Sequence, residues 1–570
     1  MIKEVLLIFK THLDIGYTDL AENVIKHYKE RFLPSAIQLA YRQKDTDCPF
    51  IWTTGSWLIY EALRTDDGTL EQAIRDGLIQ WHALPFTTHT ELMNGELLDY
   101  GLSLSKQLDE RFGRHTIAAK MTDVPGHTIG LVPHLARAGV KLLHIGVNPA
   151  TVSPDVPEIF RWRCGNDSLT VMYNKGYGDF CEVGETAIGF GVTNDNSGPH
   201  TPQELEDYYR LARGKYPNAR VYAATLNDIV GKLDWETLPE VRHEIGDTWI
   251  YGAGSDPKKI SGYRALLRHA EGRLAAYDLT DNLLLVPEHT WGCSAMGKFP
   301  DTTHYLCKEF AAYCTSERAF MEQAWEEQRE YVRIAAKKMA FDIDKETEVL
   351  RPSMDNGEPI DCSCAIELSY QLFDASDYER YANTYFDGSL NWAIWDYTKQ
   401  NLPTYQSGIF TAKVEKAVQY GTKKIYELKF DKGVTELCGL PVLYITIEDG
   451  QVEVSWFDKK PNRLPEAFWL KFKGYDENWQ IHKLDQWMEP PARTDSPLLH
   501  GVWRGIRNET VEIESLDAPL VAPFGRHLLE YGIAHDTKDL YFNLYNNVWN
   551  TNFPLWYSDD AKFRFHIYEK

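Results

Sequence analysis

The chain is 570 residues long, 43% hydrophobic and 25% charged, with a formal charge of −23. That length exceeds one ordinary domain of roughly 100–200 residues, and the composition is that of a globular protein, not a disordered or fibrous one. So acidic a surface repels nucleic acid and anionic membranes, while a neutral ligand such as a sugar meets no such barrier.

The first ten residues, MIKEVLLIFK, read as a strand, because no small-residue cleavage site follows the short apolar run. No window approaches the ~18 apolar residues of a membrane span. The nine cysteines are scattered, Cys362 and Cys364 being the only near neighbours, and read as thiols of a reducing compartment. The expected location is cytoplasmic. No nucleic-acid or membrane partner is expected, and a homo-oligomer stays open.

In chain order, Lys3–Phe9 is a strand that ends at Thr11-His12. Asp19 to about Tyr41 has helical periodicity and opens on an Asp suited to capping. Gly95 to about Phe112 is an amphipathic helix closed by Gly113. His115–Met121 is a strand ending at Thr122-Asp123, followed by a helix over Leu131–Ala138 and a strand over Leu142–Ile145. Pro202–Arg213 is a helix and Arg220–Ala223 a strand. This alternation predicts a largely parallel sheet with helices on its faces.

Beyond it the pattern turns helical, with long segments at Tyr263–Tyr277 and Ser316–Met339, while 345–400 is mixed. From about Ser407, runs such as Lys424–Phe430, Val442–Ile447 and Gln451–Trp456 alternate with period two around turns such as Asp449-Gly450. Phe468–Phe472 and Leu540–Leu544 continue the pattern. The expected architecture is multidomain α/β + α + β. It comprises a catalytic (β/α) barrel-like domain over 1–260, a helical bundle over 261–400 that contributes to the site, and a C-terminal antiparallel β-sandwich over 401–570.

Two motifs sit where parallel strands end, which is where α/β sheets bind ligands. In Lys10-Thr11-His12-Leu13-Asp14-Ile15-Gly16-Tyr17, positions i and i+2 of an extended segment point the same way. His12 and Asp14 can therefore face one point, as an imidazole and a carboxylate that bind a divalent ion do. In Thr122-Asp123-Val124-Pro125-Gly126-His127, a strand delivers a carboxylate directly into a Pro-Gly turn. Spacing alone equally allows polar helix-entry groups at His12 and Asp14, and a turn cap at Asp123.

The order and context of these motifs resemble glycoside hydrolase family 38, the zinc-dependent α-mannosidase family, and a divergent branch of it. The family opens with a strand followed by His-x-His-x-Asp-x-Gly-Trp, which Lys10, His12, Asp14, Gly16 and Tyr17 match in place. The resemblance implies that His12 and Asp14 are metal ligands. The family's Asp-x-Phe-Gly resembles Asp123-Val-Pro-Gly126, which implies that Asp123 is nucleophile and ligand. Thr193–Thr201 looks like the counterpart of a Gly-rich stretch that precedes a helix. This points to Asp195 as general acid, with Asp228 and Asp247 as alternatives. Glu288-His289-Thr290-Trp291-Gly292 stands where the family has His-His-Asp-Ala, which points to His289 as the fourth ligand. Tyr545–Phe553 resembles the family's Asn-Asn-x-Trp-x-Thr-Asn.

The resemblance spans almost the whole chain. The departures are Lys10 for the first His, Tyr17 for Trp, Pro125 for Phe, and Glu-His-Thr for His-His-Asp. The implied activity is metal-dependent, retaining hydrolysis of an α-mannoside or related glycoside through a glycosyl-enzyme on Asp123, with Zn²⁺ or another divalent cation as cofactor. Tyr17 and Trp291 are candidates for stacking on a sugar face, and equally for packing. Glu91, which follows a strand, is a candidate for the pocket wall. His127 is a candidate for orienting Asp123 or touching substrate. Two rivals stand. One is a zinc-dependent carbohydrate deacetylase, although the chain has no His-x3-His pair. The other is an inactive sugar-binding relative.

Overall fold

A computed structural model of the protein describes all residues except 234–235, 247, 474–477, 492–498, 527 and 533–538. The chain packs as two compact units. Met1–His89, Gly95–Ile245 and Pro287–Thr290 make the first, and Thr90–Asn94, Gly246–Val286 and Trp291–Lys570 the second.

The first unit carries strands β1 (Glu4–Thr11), β2 (Trp52–Gly55), β3 (Ile79–His82), β4 (Ala118–Asp123), β5 (Leu142–Val147), β6 (Ile159–Cys164), β7 (Asp167–Asn174), β8 (Cys181–Val183), β9 (Thr186–Thr193), β10 (Arg220–Ala223) and β11 (Glu240–Val241). One sheet runs β3-β2-β1-β9-β8, with β10 beside β1, and a second runs β11-β6-β7-β5-β4. β9 pairs in parallel along the whole of β1, while β10 and β2 share the other edge, at Glu4–Leu7 and at Phe9–Lys10. The sheets approach where β3 meets β4, at an Ala83 N–H to Ala118 carbonyl bond of 3.0 Å. Val5–Phe9 of β1 are fully buried, as an unbroken apolar run demands of a parallel strand covered on both faces.

Helices expected from periodicity occupy Ala21–Gln43, Gly95–Phe112, Leu131–Arg137 and Pro202–Lys215. The last begins with a full capping box, Thr201 and Glu204 bonding each other's backbone. Ala21–Gln43 differs in two respects. Asp19 accepts from Leu20 N–H and from the Asn23 side chain instead of capping the helix. A π turn at Tyr28–Phe32 interrupts the α-helix, and from it the buried Tyr28 hydroxyl donates to the His12 carbonyl at 3.1 Å. Such turns recur beside functional residues.

In the second unit the helix expected at Tyr263–Tyr277 is set earlier, at Pro257–His269. Asp256 caps it by accepting from Lys259 N–H, Pro257 fits its first turn, and Gly272, at φ +74°, turns the chain after it. The long helix Ser316–Lys338 is capped by Thr315. The mixed stretch 345–400 supplies the helices Ala375–Tyr385 and Asn391–Tyr397 and the strand Ile366–Leu372, which pairs antiparallel with Glu466–Phe472. Strand pairing thus begins before residue 401. A ten-stranded and a six-stranded antiparallel sheet share one core that includes Tyr426, Ile445 and Trp456 from the first and Leu368, Phe468 and Phe542 from the second. All nine cysteines are free thiols. Among the described residues no helix is long and apolar enough to cross a membrane.

Candidate metal centre and its carboxylates

Three strand ends and one returning loop build the site, all within the first unit. His12 and Asp14 follow β1, Asp123 closes β4, and Asp195 lies in the turn after β9. Because β1 and β9 pair in parallel through Thr11↔Thr193, the residues after each emerge side by side. Asn196 joins the two loops. Its N–H donates to the His12 carbonyl, its side-chain oxygen accepts from Asp14 N–H at 3.1 Å, and its amide hydrogens face the Asp14 and Gly16 carbonyls and Thr18 Oγ1 at 3.0–3.1 Å. Asn196 holds φ +49°, a conformation Asn tolerates better than most residues. Gly16 and Tyr17 also have positive φ, at +126° and +60°, so the chain turns sharply after Asp14.

His289 arrives on Pro287–Thr290, which is bound to the segment after β3. His89 N–H donates to the Pro287 carbonyl at 2.8 Å, and His289 N–H to the Thr87 carbonyl at 3.3 Å. His12 Nε2 and His289 Nε2 each lie 3.0 Å from Asp14 Oδ1. His289 Nε2 is 3.8 Å from Asp123 Oδ2. Ligand atoms of His12, Asp14 and His289 fall within 4.8 Å of one another, close enough to hold one metal ion. The donor set fits such an ion. Nδ1 of His12 and Oδ2 of Asp14 are buried without a hydrogen-bond partner, both Nε2 atoms face the one Asp14 oxygen, and two imidazoles with carboxylates suit a zinc-like cation.

Glu288 supports this group from behind. Its Oε1 lies 2.6 Å from His289 Nδ1, and its Oε2 accepts from Thr290 N–H at 3.0 Å. This is the carboxylate–imidazole pairing that orients a metal-binding histidine. Burial works to lower the pKa of His289, but the charge of Glu288 and the hydrogen bonds to Asp14 and Glu288 outweigh it and raise it well above the usual range. Burial works to raise that of Asp14, and the charges and hydrogen bonds of His12 and His289 hold it well below the ordinary carboxylate range.

The remaining carboxylates differ from each other. Asp123 has φ +85°, a conformation that costs a non-glycine residue about 1–3 kcal/mol. Its Oδ1 accepts from Tyr177 OH at 2.8 Å and from Asn148 Nδ2 at 3.1 Å. The Tyr177 hydroxyl also lies 3.1 Å from Asp195 Oδ1, and its ring packs on His12 at 4.9 Å between centroids. Burial, then the charge of Asp14, and further the charge of Asp123, push the pKa of Asp195 up to about 6 against the lowering influence of His12 and Tyr177.

Other sequence candidates lie elsewhere or have different partners. His127 is fully buried, its N–H bonded to the Ile245 carbonyl at 2.5 Å, and burial lowers its pKa to about 3. Tyr17 is half-buried on the turn after Asp14. Asp228 accepts from Thr225 N–H and Oγ1 as part of a capping box, and Asp247 lies outside the described residues. Glu91 and Trp291 belong to the second unit. Glu91 pairs there with Lys483 at 2.9 Å and accepts from Gly501 N–H at 2.7 Å. The buried Trp291 ring sits under Lys259 Nζ at 3.2 Å, and its backbone N–H donates to Asn552 Oδ1. In the same unit, Asn546 of the C-terminal motif donates to the Tyr251 carbonyl and Asn547 accepts from Lys399. Sequence reasoning missed Tyr177, Asn148, Asn196 and Glu288. Only Glu288, adjacent to His289, carried a local signal.

A family model described as "Domain of unknown function (DUF5054)" matches residues 253–366. No curated protein matches the chain. Among solved structures, an alpha-mannosidase from Enterococcus faecalis V583 is similar over 100% of this chain and 87% of its own, with TM-score 0.60 and 9% identity. A protein in the glycosyl hydrolase family 38 from Enterococcus faecalis is similar over 100% and 86%, with TM-score 0.53 and 8% identity. The chain therefore shares its fold with an alpha-mannosidase and with a protein of glycosyl hydrolase family 38.

Proposed function

We propose that this chain is a divergent member of glycoside hydrolase family 38, a metal-dependent retaining glycosidase acting on an α-mannoside or a related glycoside. The observation that carries the reading is the convergence of His12, Asp14 and His289 on one buried point, with Asp123 and Asp195 meeting at a single phenol beside it. The shared fold supports the same reading.

His12, Asp14, His289 and Asp123 would hold the ion. A divalent cation bound there, zinc by the donor set, would supply positive charge to bind and orient substrate hydroxyls. Asp123 attacks the anomeric carbon as an anion, with Tyr177 and Asn148 fixing its Oδ1. Asp195, protonated at a pKa of about 6, gives its proton to the leaving oxygen and later takes one from water.

The spacing favours retention. Both Oδ1 atoms bond the same hydroxyl, so they lie no more than about 6 Å apart. Retaining pairs stand roughly 5–5.5 Å apart and inverting pairs roughly 6.5–9.5 Å. A deacetylase needs no second carboxylate so placed.

The test is metal analysis of purified protein together with a screen of aryl glycosides. About one zinc per chain and release of aglycone from an α-mannoside are expected, and Asp123→Asn should reduce turnover roughly ten-thousand-fold. Unaltered turnover in Asp123→Asn would remove the mechanism, and acetate release in place of sugar release would favour the deacetylase.

A further inference from the structure

Tyr177 is placed with more care than a packing residue needs. It follows β7 between Gly176 (φ +71°) and Gly178 (φ +138°). Its carbonyl comes so near β5 that a Cβ on Gly146 would lie 2.6 Å from the oxygen, and Lys120 Nζ donates to the same carbonyl at 3.4 Å. The ring is held against His12, and the hydroxyl reaches two carboxyl groups from different strands, Asp123 Oδ1 at 2.8 Å and Asp195 Oδ1 at 3.1 Å.

We infer that Tyr177 is the positioning residue of the general acid: its hydroxyl, within hydrogen-bond distance of Asp123 Oδ1 and Asp195 Oδ1, fixes the gap between the two carboxyls and the orientation of Asp195. The inference rests on the glycosidase reading above. A phenol carries one proton and also accepts, so it can donate to one carboxyl while its oxygen takes a hydrogen bond from the other when that one is neutral. Either way the hydroxyl anchors Oδ1 of Asp195. Without the phenol, the carboxyl can turn about its χ2. Asp123 is less dependent on Tyr177, because Asn148 donates to the same oxygen.

In the step itself, an Asp123 oxygen forms a bond to the anomeric carbon. The bond from that carbon to the leaving oxygen breaks, its electron pair staying on that oxygen, which takes the proton from Asp195. Tyr177 keeps its own proton throughout. Its contribution is therefore largest where the leaving group needs protonation, and small where it does not.

The experiment is kcat/KM for Tyr177→Phe and Asn148→Ala against two glycosides of the same sugar. One has an alkyl or unactivated aryl leaving group and the other a dinitrophenyl group, and metal content is measured on each protein. Tyr177→Phe is expected to lose roughly 10–100-fold on the unactivated substrate, the size of a lost hydrogen bond to a charge-bearing group, and only a few-fold on the dinitrophenyl one. Asn148→Ala, which removes a hydrogen bond to Asp123 and one from Ala150 N–H, is expected to lower both alike. Equal losses on both substrates in Tyr177→Phe, or no loss on either, would overturn the inference and leave the glycosidase reading standing. A metal-loaded wild-type protein that cleaves neither substrate would overturn both.

Discussion

Replacing Glu288 by Gln tests whether the site is a metal centre or a cluster of buried polar groups. Glu288 uses both oxygens as acceptors, one toward His289 Nδ1 at 2.6 Å and the other toward Thr290 N–H at 3.0 Å. Gln has the same shape but one acceptor. Once its oxygen faces His289, its NH₂ faces the Thr290 N–H, donor against donor. A buried polar group left in that state costs about 1–3 kcal/mol. The imidazole also loses the negative charge that makes it a stronger ligand. Together these predict zinc binding weaker by roughly 10–100-fold, or about 1.4–2.8 kcal/mol.

A second effect opposes the first and can be separated by pH. Glu288 also raises the pKa of His289, so in the wild-type protein the ion must displace a proton, whereas the Gln variant binds with less competition. The wild-type advantage should therefore grow as pH rises through the raised pKa of His289, and shrink as pH falls below it. Competition against a chromogenic chelator at several pH values measures this directly. Equal zinc affinities in both proteins at alkaline pH would refute the metal-centre argument, because the second carboxylate would then support nothing.

Two further predictions follow from single side chains. Asp195 must be protonated to act as an acid, so kcat/KM on an unactivated glycoside should fall as pH rises through about 6; a profile flat from pH 5 to 8 would remove Asp195 from that role. Asn196→Ala removes the bonds to Asp14 N–H and to the Asp14 and Gly16 carbonyls and places Ala at φ +49°, a conformation that costs an L-residue roughly 1–2 kcal/mol. Both Asn196→Ala and Asn196→Gly should weaken zinc binding, but Ala should melt at a lower temperature than Gly; identical melting curves would show that the backbone at 196 is unstrained.

Much of the first unit was legible because its signals are local. The apolar run before His12 and the Thr201–Glu204 box each act within a few residues, and the strand of residues 220–223 falls at its expected bounds. β2, β3, β6, β7 and β9 were not singled out. Short buried strands of mixed composition, such as Trp52–Gly55 and Ile79–His82, are too brief for periodicity to distinguish them. The same limit hid the strand Ile366–Leu372 in the mixed stretch, since only its pairing with Glu466–Phe472 makes it a strand.

The sequence by itself determined that an imidazole and a carboxylate stand two residues apart just past β1, a spacing that lets both face one way because alternation along an extended chain is a local property. It also marked, through an Asp at the end of an expected strand and one residue before Pro125-Gly126, where another carboxylate would emerge. Only the tertiary structure decided that the loop carrying His289 returns to the first unit, that Asn196 joins the ends of β1 and β9, and that one phenol from beyond β7 meets two carboxyls. Each of these depends on strands pairing far apart in the chain, and such pairing is selected by the packing of the whole unit, which no short window of residues encodes.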